Sequence, residues 1–227
     1  MKQIVTFFLL LISLSSTAQT YQSTWQNKPD MPWIGEELWA NRLQDWQIKN
    51  GSLSCNITGK NRSVALLTHK IIDSFTMEAT VRFDNLTPTA GVIGFEIGRK
   101  GKVEDYRSAA IYGKGITVGI HKKGQLIIGE KTSEILISAV QLSQKIELKL
   151  TANTENNEVV LTAKIPSGKV LGEFKSTVQN VEGYVALIAD FDTSIQQEFT
   201  PSATFNNWKV EGKGVVANLE NTYGPIF

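Results

Sequence analysis

The stretch that decides the fold runs from Gly91 to Gly129 and reads GVIGFEIGRKGKVEDYRSAAIYGKGITVGIHKKGQLIIG. Near its start, Ile93, Phe95 and Ile97 alternate with small or polar residues. Residues 116–121 alternate in the same way near its end. Alternation with a period of two is typical of a β-strand that buries one face. The stretch therefore predicts several short strands joined by turns.

The same alternation extends over most of the chain. It is clearest in Phe75–Phe83 and recurs at 146–150, 159–165, 170–174, 185–191 and 205–211. The intervening turn signals recur about every 8 to 12 residues, a spacing typical of a sandwich or barrel. Because an all-β chain buries its apolar faces between two sheets, we predict a two-sheet, antiparallel, jelly-roll-like β-sandwich.

The first hairpin and the segment before it have their own signals. Asn50-Gly51 separates two alternating runs and predicts a tight hairpin turn. Residues 19–45 form an aromatic-rich extension, which we interpret as a clasp over the sandwich, with its tryptophans as buried anchors. Exposed tryptophans that stack on sugar rings are the alternative. Gly35–Leu43 predicts one short helical turn, and no later segment has helical periodicity.

The first 18 residues have the pattern of a signal peptide. Lys2 precedes the apolar run Phe7–Leu14, and Ser16-Thr17-Ala18 offers a cleavage site of small residues. We therefore expect an exported chain, periplasmic or extracellular, that begins near Gln19. The only cysteine, Cys55, lies far from this leader, so we expect no lipoprotein anchor. No later segment contains 18 consecutive apolar residues, so we predict no membrane partner.

Charge and cysteine content exclude several classes of protein. Without Lys2 of the leader, 22 basic side chains balance 22 acidic ones. This balance leaves no excess of positive charge that would attract nucleic acid, so we predict no nucleic-acid partner. A single cysteine excludes an internal disulfide, so the core must hold the fold. Cys55 lies in a strand-like setting and is predicted to be buried.

The densest group of chemically capable side chains lies in the stretch quoted first. Glu96 and His121 are on the predicted outer faces of two strands, among glycines. Tyrosine and arginine between them suit sugars, because they offer flat apolar surface and fixed donors. Close backbone approach without a ligand is the alternative explanation of the glycines. The predicted ligand-binding group is Glu96, Arg99, Asp105, Tyr106, Arg107, Tyr112 and His121.

Few catalytic or cofactor chemistries fit these residues. Two histidines and one cysteine do not form a zinc site, and we predict no cofactor. A calcium ion at the sandwich rim would leave no sequence pattern. Glycosidases need two carboxylates across a cleft. Glu96, Glu104 and Asp105 are candidates by their location, and a hydrolase on the 94–121 face would use Glu96 or Asp105. A carbohydrate-active hydrolase is therefore the alternative to a non-catalytic module.

Two terminal motifs resemble the concanavalin A-like, laminin-G-like jelly-roll family. The first is the hairpin Trp46–Leu53, of the form Trp-x-apolar-x-x-Gly-x-Leu. The second is the closing pair Gly183–Ile188 and Phe205–Gly212. The resemblance implies that the first and last strands lie close together, and it gives a sandwich domain over residues 46–212. It also implies a polysaccharide or other glycan as the partner.

Three further stretches resemble the N-terminal sandwich of exported alkaline phosphatase D-like metallophosphoesterases. They are Trp39–Trp46, Asp105–Gly115 and Tyr223–Phe227. The resemblance implies an accessory domain that precedes a covalently attached phosphatase, with residues 213–227 as a linker or tail. His69 and His121 are the only histidines, so no metal ligand or catalytic residue of that family is carried over.

Overall fold

The structure, a computed structural model, describes residues 19–88, 90–192 and 200–218. The predicted leader and the motif Tyr223–Phe227 lie outside these residues. Within them the strands, in chain order, are β1 (Gln19–Gln22), β2 (Leu38–Ala40), β3 (Trp46–Lys49), β4 (Ser52–Cys55), β5 (Arg62–Leu66), β6 (His69–Ile71), β7 (Phe75–Phe83), β8 (Ala90–Lys100), β9 (Lys114–His121), β10 (Leu126–Ile128), β11 (Lys131–Thr132), β12 (Ile146–Asn153), β13 (Glu158–Lys164), β14 (Val170–Thr177), β15 (Tyr184–Asp192), β16 (Ala203–Gly212) and β17 (Val215–Ala217).

The strands form two large antiparallel sheets. Sheet A has the order β14-β13-β12-β7-β16-β4-β3, and β1 also pairs with β16. Sheet B has the order β11-β10-β9-β8-β15-β5-β2, and a small third sheet joins β17 to β6. The first hairpin therefore lies beside the last long strand, where Leu53 is opposite Phe205. This arrangement confirms the predicted two-sheet sandwich.

The core fills the space between the inner faces of the two sheets. Along β7, buried residues alternate with partly exposed ones without interruption, as its sequence predicts. Across the core, the rings of Phe83 and Phe191 meet edge to face with centroids 6.1 Å apart. Each such side chain contributes about 1.5–3 kcal/mol when it is fully buried. Cys55 is buried in this core, as predicted.

The short elements differ from the sequence-based predictions. The prediction of a helical turn over Gly35–Leu43 is wrong, because Leu38–Ala40 pairs with β5 as the edge strand β2. Long-range pairing with an apolar strand overrides the weak helical pattern. The described helical segments are α1 (Tyr106–Tyr112), α2 (Ala139–Leu142) and 3₁₀ turns at Trp25–Asn27 and Leu43–Asp45. No sequence signal predicted α1.

The four tryptophans between residues 25 and 46 have different environments. Trp25 and Trp46 are fully buried, and Trp25 stacks on Trp208 of β16 with ring centroids 6.4 Å apart. Trp39 is half-buried, whereas Trp33 is 47% exposed. The tight turn is confirmed, since Asn50 and Gly51 both have positive φ, at 49° and 68°.

Candidate functional site

The outer face of sheet B contains the two polar groups that defined the predicted site. Glu96 of β8 is opposite Thr117, and His121 of β9 is opposite Val92. Gly94 and Gly119 face each other between these pairs, so Glu96 and His121 lie at opposite ends of the shared strand pair. A Cβ atom on Gly119 would lie 2.3 Å from the carbonyl oxygen of Ile93. Close backbone approach accounts for this glycine without a ligand.

Arg99 is a buried structural residue. Its guanidinium donates to Glu96 Oε2 at 2.7 Å and to Ser63 Oγ at 3.2 Å. It also donates to the carbonyl oxygens of Ala109 and Ala110, at 2.7 Å and 3.0 Å. These carbonyls belong to α1, so the guanidinium ties the helix to the sheet. The second Glu96 oxygen accepts from the backbone of Gly115, and both carboxylate oxygens are thus bonded.

Helix α1 covers one end of this sheet face. The Asp105 carboxylate caps the helix by accepting from the backbone nitrogen of Arg107 at 2.8 Å. Tyr106 is buried in a second apolar cluster, together with Ala109, Ala110 and side chains from β5 and β15. The guanidinium carbon of Arg107 lies 5.4 Å from the centre of the Tyr106 ring. Tyr112 ends the helix and is 58% exposed.

The structure therefore brings together six of the seven predicted residues, around α1 and the adjoining part of β8. His121 lies apart, at the far end of β9. Its Nδ1 accepts from the backbone nitrogen of Lys123 at 3.2 Å. Burial lowers the pKa of His121, and the charges of Lys123 and Lys122 lower it further. Because Glu96 and Asp105 both bond structural partners, this arrangement gives no support to either carboxylate as a glycosidase catalyst.

A polar groove of about 460 Å³, which sequence reasoning missed, crosses the outer face of sheet A. Strand register places its residues in rows. In the first row, Gln47, Ser54, Thr204 and Arg82 are successive partners on β3, β4, β16 and β7. The adjoining row contains Lys49 opposite Ser52 on β3 and β4, and Asn206 on β16. The outward positions of these four strands thus form one polar surface.

Part of the groove is fixed by internal bonds. Arg82 Nε donates to Asp84 Oδ1 at 2.7 Å, and Thr204 donates to the other carboxylate oxygen. Asn206 Nδ2 donates to Ser52 Oγ at 2.6 Å. The side chains of Gln47, Ser54 and Asn56 also line the groove, and no described residue hydrogen-bonds to them. The groove therefore combines a fixed floor with amide and hydroxyl groups that are open to a ligand.

The sequence contained only part of the signal for this groove. Outward polar positions alternate along Trp46–Cys55 and again along Ala203–Asn206, but alternation does not say which strands are neighbours.

Within the described ranges, no group of three or more His, Cys, Asp or Glu side chains could hold a metal ion. The described part of the chain also contains no helix that is long and apolar enough to cross a membrane.

Comparison with known proteins identifies the fold. No family model matches the chain, and no curated protein matches it. The Lotus tetragonolobus seed lectin matches with 10% identity and a TM-score of 0.58, over 88% of this chain and 99% of that one. The basic winged bean lectin matches with 11% identity and a TM-score of 0.57, over 88% and 100%. The acidic winged bean lectin matches with 13% identity and a TM-score of 0.57, over 85% and 98%. The chain thus has the concanavalin A-like sandwich fold of these legume lectins.

Proposed function

We propose that this protein is an exported, non-catalytic module that binds a neutral glycan in the polar groove of sheet A. The observation that carries the proposal is the groove itself, which crosses four adjacent strands and in which amide and hydroxyl side chains outnumber the four charged ones, Lys49, Arg82, Asp84 and Lys145. Sugar hydroxyls both donate and accept hydrogen bonds. A lining of Asn, Gln, Ser and Thr supplies both roles at short spacing.

The groove lies across β3, β4, β16 and β7, so a bound glycan would meet side chains from several strands. The fixed Arg82–Asp84 pair and the Asn206–Ser52 bond hold their donors and acceptors in place before a ligand arrives. Such preorganisation reduces the conformational entropy lost on binding. Gln47 and Ser54 supply groups without competing internal partners.

The comparisons motivate a glycan as the class of ligand to test, and the position of the site comes from the geometry of this chain. The acidic winged bean lectin was solved with methyl-α-D-galactose, and the basic winged bean lectin with Tn-antigen. Those ligands belong to those proteins, and the low identity carries only the fold to this chain.

A screen of immobilised neutral polysaccharides against residues 19–227 tests the proposal, with galactan, mannan, xylan and β-glucan as probes. We expect one of them to bind, and the double variant Gln47→Ala with Asn206→Ala to weaken that binding about tenfold, since each neutral hydrogen bond contributes about 0.5–1.5 kcal/mol. Thr151→Ala, an exposed change outside the groove on the same sheet face, is the control. Failure of all four probes, or unchanged affinity in the double variant, would contradict a glycan site in the groove.

A second candidate function is an accessory role beside an attached metallophosphoesterase. It rests on the resemblance of Trp39–Trp46 and Asp105–Gly115 to that family, and these two segments pack together. Trp39, from Trp39–Trp46, packs against the cluster that contains Tyr106 and Ala109 of Asp105–Gly115. The intact mass of the native product separates the candidates. A mass far above that of residues 19–227, together with phosphatase activity, favours the accessory role.

A further inference from the structure

A cleft of about 290 Å³ lies beside α1 and is separate from the groove of sheet A. We name it the basic cleft. It lies between the β8–α1 connection, β6 and the start of β15, and its lining includes Lys70, Lys100, Lys102, Asp105 and Gly183. No residue is shared between the linings of the groove and the basic cleft. The two sites are therefore built from different residues.

The lining of the basic cleft carries four cations, Lys70, Arg99, Lys100 and Lys102, against two carboxylates, Glu104 and Asp105, in a chain whose total charge is close to neutral. Lys114 is opposite Lys100 in the β8–β9 ladder, which adds a further cation next to the lining. Neither Lys100 nor Lys114 has a carboxylate partner among the described residues. Lys70 pairs with Glu104 at 3.3 Å, but the Glu104 side chain is 92% exposed. An exposed pair of this kind contributes about 0–1 kcal/mol, so an anionic ligand can displace Glu104.

An exposed aromatic ring adjoins these lysines. Lys102 Nζ lies 4.8 Å from the centre of the Tyr112 ring. Helix α1 leaves this ring projecting into solvent at its carboxyl end, next to the lysine-bearing segment. Flat aromatic faces stack on the apolar side of a sugar ring, while a nearby ammonium group attracts an anionic substituent. Tyr112 and Lys102 together thus match a sugar that bears a negative charge.

The segment that carries the lysines is held in place by the helix. The Ser108 hydroxyl accepts from the backbone nitrogens of Lys102 and Val103, at 2.9 Å and 3.3 Å. The buried Arg99 guanidinium holds the other end of α1 against β8 through Ala109 and Ala110. The backbone at Lys102 and Val103 is therefore tied to α1, and α1 is in turn tied to β8.

We propose that the basic cleft binds an acidic saccharide, with Lys100 and Lys102 on its carboxylate or sulfate and Tyr112 against its ring. Ammonium groups act as point charges, so the site accepts planar carboxylates and tetrahedral sulfates alike. This inference goes beyond the neutral-glycan proposal for the groove. A protein with both sites would hold a polysaccharide that carries acidic and neutral sugars, or two different chains at once.

Affinity electrophoresis and calorimetry test the proposal with four polymers: heparin, polygalacturonate, neutral dextran and polyglutamate. We expect heparin, polygalacturonate or both to bind, and to bind more weakly in about 200 mM than in about 50 mM salt because screening shortens the range of charge interactions. If only heparin binds, the recognised group is a sulfate. If only polygalacturonate binds, the recognised group is a carboxylate. We expect polyglutamate to bind more weakly than either sugar polymer, because it has no ring to stack on Tyr112.

Variants distinguish binding in the cleft from nonspecific attraction to lysines elsewhere on the surface. We expect Lys100→Gln with Lys102→Gln to weaken acidic-polymer binding about tenfold, equivalent to two exposed charge contacts. Lys164→Gln with Lys169→Gln removes the same charge at the β13–β14 turn and should leave binding unchanged. Tyr112→Ala should weaken sugar polymers and leave polyglutamate unaffected.

Equal losses in both lysine pairs, equal affinity for polyglutamate, or no binding of either acidic polysaccharide would overturn the proposal. The groove variant Gln47→Ala with Asn206→Ala should retain acidic-polymer binding. Failure of the groove and failure of the cleft are thus distinguishable.

Discussion

Substitution of Arg99 distinguishes a structural role from a ligand-binding role for this residue, which the sequence analysis placed in the ligand-binding group. We consider Arg99→Met, which keeps most of the aliphatic stem and removes the guanidinium. The change deletes four hydrogen bonds, one to each of Glu96, Ser63, Ala109 and Ala110. It also leaves the Glu96 carboxylate, whose side chain is 14% exposed, without its cation.

The size of the effect follows from the burial of this pair. The side chain of Arg99 is 4% exposed, so little water can replace the guanidinium. Removing one partner of a buried ion pair costs about 3–5 kcal/mol. Total stabilities of domains are about 5–15 kcal/mol, so the variant would lose a large part of its free energy of unfolding. Lys149→Met removes a surface partner of Glu78 and should cost about 0–1 kcal/mol.

Urea unfolding of residues 19–227, followed by tryptophan fluorescence, measures both variants. We expect a much lower midpoint for Arg99→Met at an unchanged slope, since the surface exposed on unfolding stays the same. Adding Glu96→Gln to Arg99→Met should recover part of the loss, because the uncompensated charge disappears. If Arg99→Met cost no more than Lys149→Met, the guanidinium would not be structural, and a ligand-binding role for Arg99 would regain support.

Three further predictions use the same unfolding assay or a thiol reagent. Trp25→Ala should cost about 3–5 kcal/mol because it removes a fully buried ring, whereas Trp33→Ala, at an exposed position, should cost far less. The hydroxyl of Thr154 and a backbone amide lower the pKa of Asp73 to about 2, so its stabilisation is present above the unfolded value near 3.8 and is lost towards pH 2. The difference in urea midpoint between the wild type and Asp73→Asn should therefore be clear at pH 6 and shrink below pH 4 to a small remainder near pH 2, and a constant difference would contradict this. Burial raises the pKa of the Cys55 thiol, so Ellman's reagent should react with it only as the protein unfolds, and prompt reaction of the native protein would contradict its burial.

Local patterns predicted the strands well, because apolar and polar residues alternate within each strand as they face the core or the solvent. Phe75–Phe83 was predicted with the bounds that the structure has, and the Asn50-Gly51 turn formed because both residues tolerate positive φ. The helices were not predictable in the same way. Helix α1 has seven residues, and it depends on the Asp105 cap and the distant Arg99 guanidinium more than on periodicity.

The candidate sites depend on register between distant segments, which local patterns do not contain. The groove forms because Thr204 is opposite both Ser54 and Arg82, residues far from it in the chain. The region around α1 was found from its residue types, since tyrosine, arginine and acidic side chains were dense there. Their roles were not predictable, because Arg99 and Tyr106 become buried only when α1 packs on sheet B.

Strand β16 has a consequence for the order in which the protein can fold. It pairs with β1, β4 and β7, so three strands from residues 19–83 all meet on a strand that is synthesised much later. Residues 19–22 leave the ribosome long before residues 209–212, which are their partners. Long-range pairing of this kind is slow to form, because the ends of a large loop must meet first. Until β16 is synthesised, sheet A lacks the strand that links β7 to β4, so its two halves cannot join.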